Sequence, residues 1–322
     1  MTQPTVSVLV PSYNHGCFIE EAIGSALASE IDGIEVVVVD DGSTDDSRER
    51  LRLVSRDDRV RVLEQENRGA HAALNRALEN ARGEFLFILN SDDAFPPNRL
   101  PRLVDELRAH PEAALASSWI QIIDDHGNEL GVKEGWHNLP PWPPPTGGPY
   151  LSDLGHPALA LLETNFVSTT SNLVFRRSLV EEHGLRFQPL RYAHDWEFIL
   201  AACHHGGLRL VPEPLVKYRV HADNTIKEGA GTEVGPMRFE IQWVVARHAY
   251  RLLGSSLGEG SGLDELVQLA WNSMPSFGCD GILDRLLVLR GNSEQPSPAY
   301  DAIIDPSHPF HGAAVATLAA AG

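Results

Sequence analysis

The sequence predicts an α/β protein: a mostly parallel sheet flanked by helices, followed by a helical C-terminal extension. Three observations carry this. Short, continuous apolar runs, of which residues 36–39 (four valines) are the purest, lack the alternation of a half-exposed strand and read as strands buried on both faces. Segments with helical spacing alternate with these runs through the first half of the chain. Polar, aromatic and acidic residues follow each run, at the edge where such sheets bind their ligands.

Taken in order, Val6 to Val10 is a β-branched run closed by Pro11-Ser12, and Phe18 to Leu27 has helical spacing. Glu35 to Asp40 is the second strand. Gly42-Ser43-Thr44 then opens a helix, with Ser43 or Thr44 as N-cap. Val60 to Leu63 is the third strand, and Gly69 to Ala81 a helix ended by Gly83. Phe85 to Leu89 is the fourth strand, Arg99 to Leu107 a helix and Ala113 to Ile123 a strand. A Pro- and Trp-rich stretch, Pro140 to Pro145 with Trp136 and Trp142, reads as a linker or as a flap over a ligand. Thr164 to Phe175 reads as extended, His194 to Ala202 as helical, and Leu208 to Val220 as two short strands broken by Pro212 and Pro214. Helical patterns follow at Phe239 to Leu253, Leu263 to Trp271 and Ile282 to Leu289, before an Ala-rich tail.

Composition narrows the function. Among 322 residues there are 26 Lys and Arg against 44 Asp and Glu, a formal net charge of −18. Phosphate neutralisation needs a basic face, so nucleic acid is excluded as a partner, and docking on anionic lipid is disfavoured. No run approaches the roughly 20 apolar residues of a membrane span. Cys17, Cys203 and Cys279 are odd in number and scattered, which fits reduced thiols in a cytoplasmic protein. An anionic ligand would have to be shielded from this acidity.

The residues after the strands are Pro11-Ser12-Tyr13-Asn14, Asp40-Asp41-Gly42-Ser43, Asn67-Arg68-Gly69 and Asn90-Ser91-Asp92-Asp93. Asp92-Asp93 can hold a hard divalent cation such as Mg²⁺ or Mn²⁺, or Asp93 can simply cap the next helix. Asp195, in His194-Asp195-Trp196-Glu197, can be a general base, a helix cap or both. His221 gains meaning only as a further metal ligand facing Asp93. Arg219 and Lys217 alternate with it on one strand face and could neutralise phosphate. Trp196, Trp136 or Trp142 could stack on a sugar ring, whereas Trp119 reads as core. Thr169, Thr170 and Ser171 read as pocket lining or as an ordinary polar strand.

In that order, Val10 to Asn14, Val39 to Asp45, Asn67 to Gly69, Asn90 to Asp93, His194 to Glu197 and Tyr218 to His221 resemble the family 2 glycosyltransferases of GT-A fold. That fold is a Rossmann-like, mostly parallel sheet flanked by helices. The resemblance covers about residues 5 to 225. It implies a catalytic domain over 1–225, with a nucleotide-sugar half to about 125 and an acceptor half over 126–225; residues 226–322 form a helical extension carrying no motif. It also implies an inverting, metal-dependent transfer of a sugar from a UDP- or dTDP-sugar to a saccharide or glycoconjugate hydroxyl, as in bacterial polysaccharide biosynthesis. Pro11 and Tyr13 would cradle the base, Asp40 or else Asp41 would accept from the uracil ring N–H, and Arg68 would reach the nucleotide. Asp92 would lie near the ribose or metal waters. Asp93 and His221 would hold Mn²⁺ or Mg²⁺, Asp195 would be the base, and His194, where the family commonly has Glu, would touch the acceptor with Trp196. Arg219 would meet phosphate.

Two other classes compete. A sugar nucleotidyltransferase also pairs carboxylates with a divalent ion, but it would want a basic glycine loop that Pro11 to Gly16 lacks. A nucleotide-binding module that has lost catalysis would have a broken acid at 93 or 195, and both are present. A processive synthase is disfavoured by the missing spans and by Val244-Val245 after Gln242-Trp243.

Overall fold

A computed structural model describes residues 4–135, 157–222, 224, 234–257, 300–301, 303–307 and 311–312. Trp136, Trp142, the proline-rich stretch, Cys279 and the helical patterns at 263–271 and 282–289 lie outside the described residues.

One eight-stranded sheet organises the chain. Strands β1 (Val6–Ser12), β2 (Ile34–Asp40), β3 (Val60–Glu64) and β4 (Phe85–Ile88) form its parallel half, in the order β3-β2-β1-β4. Helices α1 (Gly16–Leu27), α2 (Ser47–Val54) and α3 (Ala70–Asn80) are the crossovers. After α4 (Arg99–Ala109) come β5 (Ala113–Ile123), β6 (Glu129–Lys133), α5 (Pro157–Glu163), β7 (Val174–Arg176), α6 (Arg177–His183), α7 (His194–Ala202), β8 (Gly207–Arg219) and α8 (Val234–Leu257). β7 sits antiparallel between β4 and β5, β6 closes that edge, and β8 pairs in parallel with β5.

The alternating pleat sends β2 side chains into two cores. Val36 and Val38 pack with Ile19 and Ile23 of α1 and Leu100 and Leu103 of α4. Val37 and Val39 share the other core with Leu74 and Ala77 of α3, Phe198 of α7, and Phe239, Trp243 and Val244 of α8. The boundary read at residue 225 therefore does not separate two cores. Among the described residues, no helix is long and apolar enough to cross a membrane.

Several local expectations change. β1 runs on through Pro11 to Ser12. Its pairing with β4 ends at Leu9–Ile88, and Ser12 O, on the β2 side, accepts from Asp41 N. Pro11 thus faces the side where no ladder bond is due. The second helix starts at Ser47, not after Gly42. Residues 43–45 are spent on the first loop: Ser43 Oγ accepts from Asn14 N (3.0 Å), Thr44 N donates to Asn14 Oδ1 (2.7 Å), and Asp45 accepts from Gly16 N (2.9 Å) and Ser47 N (3.0 Å). Gly83 does not end α3, which closes at Asn80; a Cβ at Gly83 would lie 2.4 Å from Ser7 N, so glycine lets this turn meet β1. Residues 164–173 are turns with one 3₁₀ turn, Thr170–Asn172, rather than strand. Leu208 to Val220 gives one strand instead of two, because the ladder slips register between Ser118 and Ile120 and Pro212 and Pro214 fall at that irregularity.

Candidate active site

The carboxyl ends of β1, β2 and β4 bring the predicted rim together. Ser12 and Asp40 are register partners at the ends of β1 and β2. Asp40 is fully buried and accepts from Arg48 Nε (2.9 Å) and Ser43 N (3.3 Å) through Oδ2. Its Oδ1 and the Ser12 hydroxyl are buried and have no partner among the described residues. Orphaned buried polar atoms are rare and point to an absent ligand or water. Tyr13, the next residue after Ser12, is 45% exposed, a large amphipathic ring at the sheet edge. Pro11 is buried in β1 beneath it.

Asp41 differs from Asp40. Its Oδ1 accepts from Gln65 Nε2 (2.7 Å) and Arg68 N (2.9 Å), and its Oδ2 from Gly69 N (2.8 Å). The carboxylate is consumed in holding the loop that starts α3. Gly42 next to it has φ +79°, and a Cβ there would lie 2.8 Å from Asn67 N, so only glycine lets the two loops touch. The Arg68 side chain is exposed on that loop.

The adjacent acids at the end of β4 point to different surroundings. Sequence reasoning paired Asp93 with His221, but Asp92 is the acid beside that histidine, with Oδ2 3.1 Å from His221 Nε2. Asp93 turns into the protein. Its Oδ1 accepts from Arg219 N (2.9 Å), and its Oδ2 from the hydroxyls of Ser171 (2.5 Å) and Thr169 (3.4 Å) and from Asn90 Nδ2 (3.4 Å). The two acids sit in a turn beyond β4, closed by Asp93 N donating to Asn90 O (3.1 Å), and their partners rather than a strand pleat set their opposite orientations. Burial and the charge of Asp92 push the Asp93 carboxyl above the usual carboxylate range. Burial opposes ionisation of Asp92 too, but the hydrogen bond from His221 and the charges of His15 and His221 outweigh it and hold its carboxyl low.

His15 completes this corner. One ligand atom each from His15, Asp92 and His221 lies within 4.8 Å of the others. His15 Nδ1 is 2.8 Å from Ser91 Oγ, and its Nε2 is 3.8 Å from Asp92 Oδ2. Ser91 meets Nδ1 and leaves Nε2 towards Asp92, so Nε2 is the ring nitrogen that could ligate a metal. Phe18 forms the floor: its ring is 5.0 Å from His221 and 6.4 Å from His15, and the Arg219 guanidinium lies 4.9 Å from its centroid.

Arg219 does not offer its guanidinium to a phosphate. It is buried, donates from Nε to Asp92 O (2.8 Å), reaches the carbonyls of Asp124 and Asp125, and pairs with Glu21 (2.7 Å). It fixes the Asp92 backbone while its own N–H holds Asp93. Arg99, also buried, donates to Ser171 O (2.8 Å), Leu215 O (2.9 Å) and Ser118 Oγ (3.1 Å) beneath Asp93. Burial lowers its pKa to about 9, against the pull of Asp93.

Asp195 lies in the first turn of α7. Its Oδ1 accepts from Trp196 N (2.7 Å) and its Oδ2 from Asn165 Nδ2 (3.0 Å). A carboxylate has about four lone-pair positions, so both oxygens can still take a proton. Asn165 is held by Ser168, whose N–H donates to Asn165 Oδ1 (3.1 Å) and whose φ of +71° is strained for a residue with a side chain. Tyr218 is one residue before Arg219; burial, and after it the charges of Asp93, Asp92 and Asp195, raise its phenol pKa. Trp196 is buried and donates from Nε1 to Leu161 O (2.6 Å), so it is core and not a stacking platform. His194 leans on Phe187, with ring centroids 6.2 Å apart, and its buried Nδ1 has no partner among the described residues. It is close enough to His71 of α3 to lower that imidazole's pKa, after burial, the larger cause.

Sequence reasoning missed Ser12, His15, Phe18, Asn165 and Tyr218. His15 had a signal: it follows Tyr13-Asn14 in the same post-strand loop. Phe18 and Tyr218 had none, because an aromatic residue in an apolar stretch reads as core.

The family model for glycosyl transferase family 2 matches residues 7–184. An uncharacterized glycosyltransferase of Nostoc sp. is 30% identical over 224 residues, 68% of this chain and 66% of that protein. EpsH of Bacillus subtilis is 28% identical over 235 residues, 70% of this chain and 64% of its own length. The chain thus spans about two thirds of the curated relatives it matches. A crystal structure of S. aureus TarS 1-349 has the same fold, with a TM-score of 0.62 at 18% identity over 88% of this chain and 78% of that one. TarS has also been solved with UDP-GlcNAc, at a TM-score of 0.60 and 17% identity, covering 98% of this chain and 89% of that one. With the strand-end acids and the Asp195 helix assembled on that sheet, the chain belongs to glycosyl transferase family 2.

Proposed function

We propose that this protein transfers a sugar from a nucleoside-diphosphate sugar, a UDP-sugar in the first instance, to an acceptor hydroxyl with inversion at the anomeric carbon. The observation that carries the reading is the convergence of His15, Asp92 and His221, from three strand ends, within 4.8 Å at the rim that also carries Asp40 and Tyr13. Two imidazoles and a carboxylate suit a divalent transition ion such as Mn²⁺. Such an ion, when bound, stabilises the charge that develops on the departing diphosphate. TarS, of the same fold, takes UDP-GlcNAc, which favours uridine as the base.

The chain's own groups account for the remaining steps. The unpartnered Asp40 Oδ1 accepts from the ring N–H of the base, and Tyr13 covers the base's face. Asp41 and Asp93 build the loops around the donor without touching it, and Arg68 can swing towards phosphate. Asp195, oriented by Asn165 and the Trp196 N–H, takes the acceptor proton as the hydroxyl attacks from the far side; such help is worth roughly 10²–10⁴-fold in rate. The motifs proposed to act lie within residues 1–225, with α8 packed into the same core, and a saccharide or glycoconjugate is the acceptor.

A thermal-shift screen of nucleoside diphosphates and their sugars, with and without Mn²⁺, tests this. UDP should raise the melting temperature only with metal, and Asp195→Asn should keep that shift while losing turnover. No preference for any nucleoside diphosphate would sink the reading.

A further inference from the structure

Helix α7 begins without a cap of its own. Its N-cap is Ala193, whose side chain has no acceptor, yet Asp195 must be held within its first turn. The chain leading into the helix is instead held from α8, 47 residues beyond Ala193. Glu240 Oε1 accepts from Arg191 N (2.9 Å), and its Oε2 from Tyr192 N (2.6 Å) and Ala193 N (3.0 Å). Three successive amides entering α7 thus converge on one carboxylate. Burial raises the Glu240 pKa, and these amides and nearby His194 pull it back.

The same two helices are joined again one turn on. Glu197 Oε1 lies 3.3 Å from Arg247 Nε and 3.3 Å from His248 Nε2. The loop entering α7 is fixed at its other end by Asn75 of α3, whose side chain meets Phe187 N (2.9 Å) and Phe187 O (2.8 Å). α8 is itself braced from behind, with Trp243 stacked on Tyr300 at 5.5 Å and donating to Tyr300 O (3.1 Å). Residues 188–193 are therefore clamped between the nucleotide-side helix α3 and α8, with His194 and Asp195 directly after the clamp.

We infer that Glu240 is a positioning residue for the transfer: its carboxylate anchors the three amides that lead into the helix presenting Asp195, so the C-terminal helix α8 is a working part of the reaction centre. This rests on Asp195 being the base. Proximity catalysis is steep, and a misplacement of about 1 Å can cost roughly 100-fold. Glutamine at 240 keeps the shape but turns an NH₂ towards amide donors, so at least one of the three bonds is lost and the α7 entry shifts.

The test uses the full chain with Mn²⁺ and the nucleotide sugar selected by the screen above, followed as its hydrolysis with water as acceptor. Glu240→Gln should lower kcat roughly 10–100-fold and leave the UDP dissociation constant within about twofold, because Tyr13, Asp40 and Asp92 lie on other elements. In an Asp195→Asn background the same change should cost nothing further, since the two act through one group. An unchanged kcat, or an equal loss in both backgrounds, overturns the proposal. If wild-type protein binds and turns over no nucleotide sugar, it is the transferase reading that has failed. Amide exchange then reads the contact alone: Glu240→Gln should speed exchange at residues 191–193, and unchanged exchange there would overturn the anchoring role.

Discussion

Replacing each member of the Asp92–Asp93 pair separates metal holding from scaffolding. Asp93→Ala removes the acceptor of the Arg219 N–H and the Ser171 hydroxyl, both buried. A buried donor left unsatisfied costs about 1–3 kcal/mol, so the two together cost about 4 kcal/mol of stability. Asp93→Asn keeps an oxygen for Arg219 N and offers its NH₂ to the Ser171 oxygen, so its cost should be about 1 kcal/mol. Asp92→Asn leaves those contacts alone but deletes the carboxylate between His15 and His221. Urea unfolding with Mn²⁺ titration by calorimetry reads both quantities. We expect Asp93→Asn to bind Mn²⁺ nearly as wild type, Asp93→Ala to lose stability, and Asp92→Asn to lose about 100-fold or more in Mn²⁺ affinity while staying folded, since second-shell losses alone reach 10–100-fold. The reasoning is refuted if Asp93→Asn abolishes Mn²⁺ binding while Asp92→Asn retains it.

Tyr13→Ala should weaken UDP binding by about 1–3 kcal/mol, the usual worth of stacking a base on an aromatic ring. Its melting temperature should hold, because Tyr13 is 45% exposed. For pH dependence, burial pushes the Glu197 carboxyl from 4.5 up to about 7 against the attraction of Arg247. Between those values the unfolded chain has released its proton and the folded chain has kept it. The stabilising contribution is therefore full below about pH 4.5 and lost as pH rises through about 7, a change of order 3 kcal/mol. The stability of Glu197→Gln measured against wild type at each pH should improve across that window; a constant difference would show that Glu197 does not titrate there.

The sheet was legible in the sequence because its signal is local. A strand buried on both faces must be apolar throughout, and residues 36–39 can be little else. The rim was legible for the same reason: residues following such strands must emerge at one edge, which pointed to Asp40-Asp41 and Asp92-Asp93, whereas Asp195, at a helix start, came from the family resemblance. What was not legible depended on partners distant in sequence. Asp40 and Asp41 look equivalent until Gln65 and the amides of Arg68 and Gly69 are seen to occupy Asp41. Pro212 and Pro214 read as strand breaks because the bulge that absorbs them is a property of the ladder with β5.

By itself the sequence determined the α/β sheet, the order of its first four strands along the chain and the edge that carries the candidate site residues. Only the tertiary structure decided which oxygen at that edge is free. It turned Asp93 inward onto Ser171 and Asp92 outward to His15 and His221, committed Arg219 to Glu21, and brought Glu240 of α8 onto the helix that carries Asp195. The physical reason is one of range. Apolar periodicity is written in neighbouring residues, whereas a carboxylate's availability depends on which donors the fold brings within about 3 Å of it.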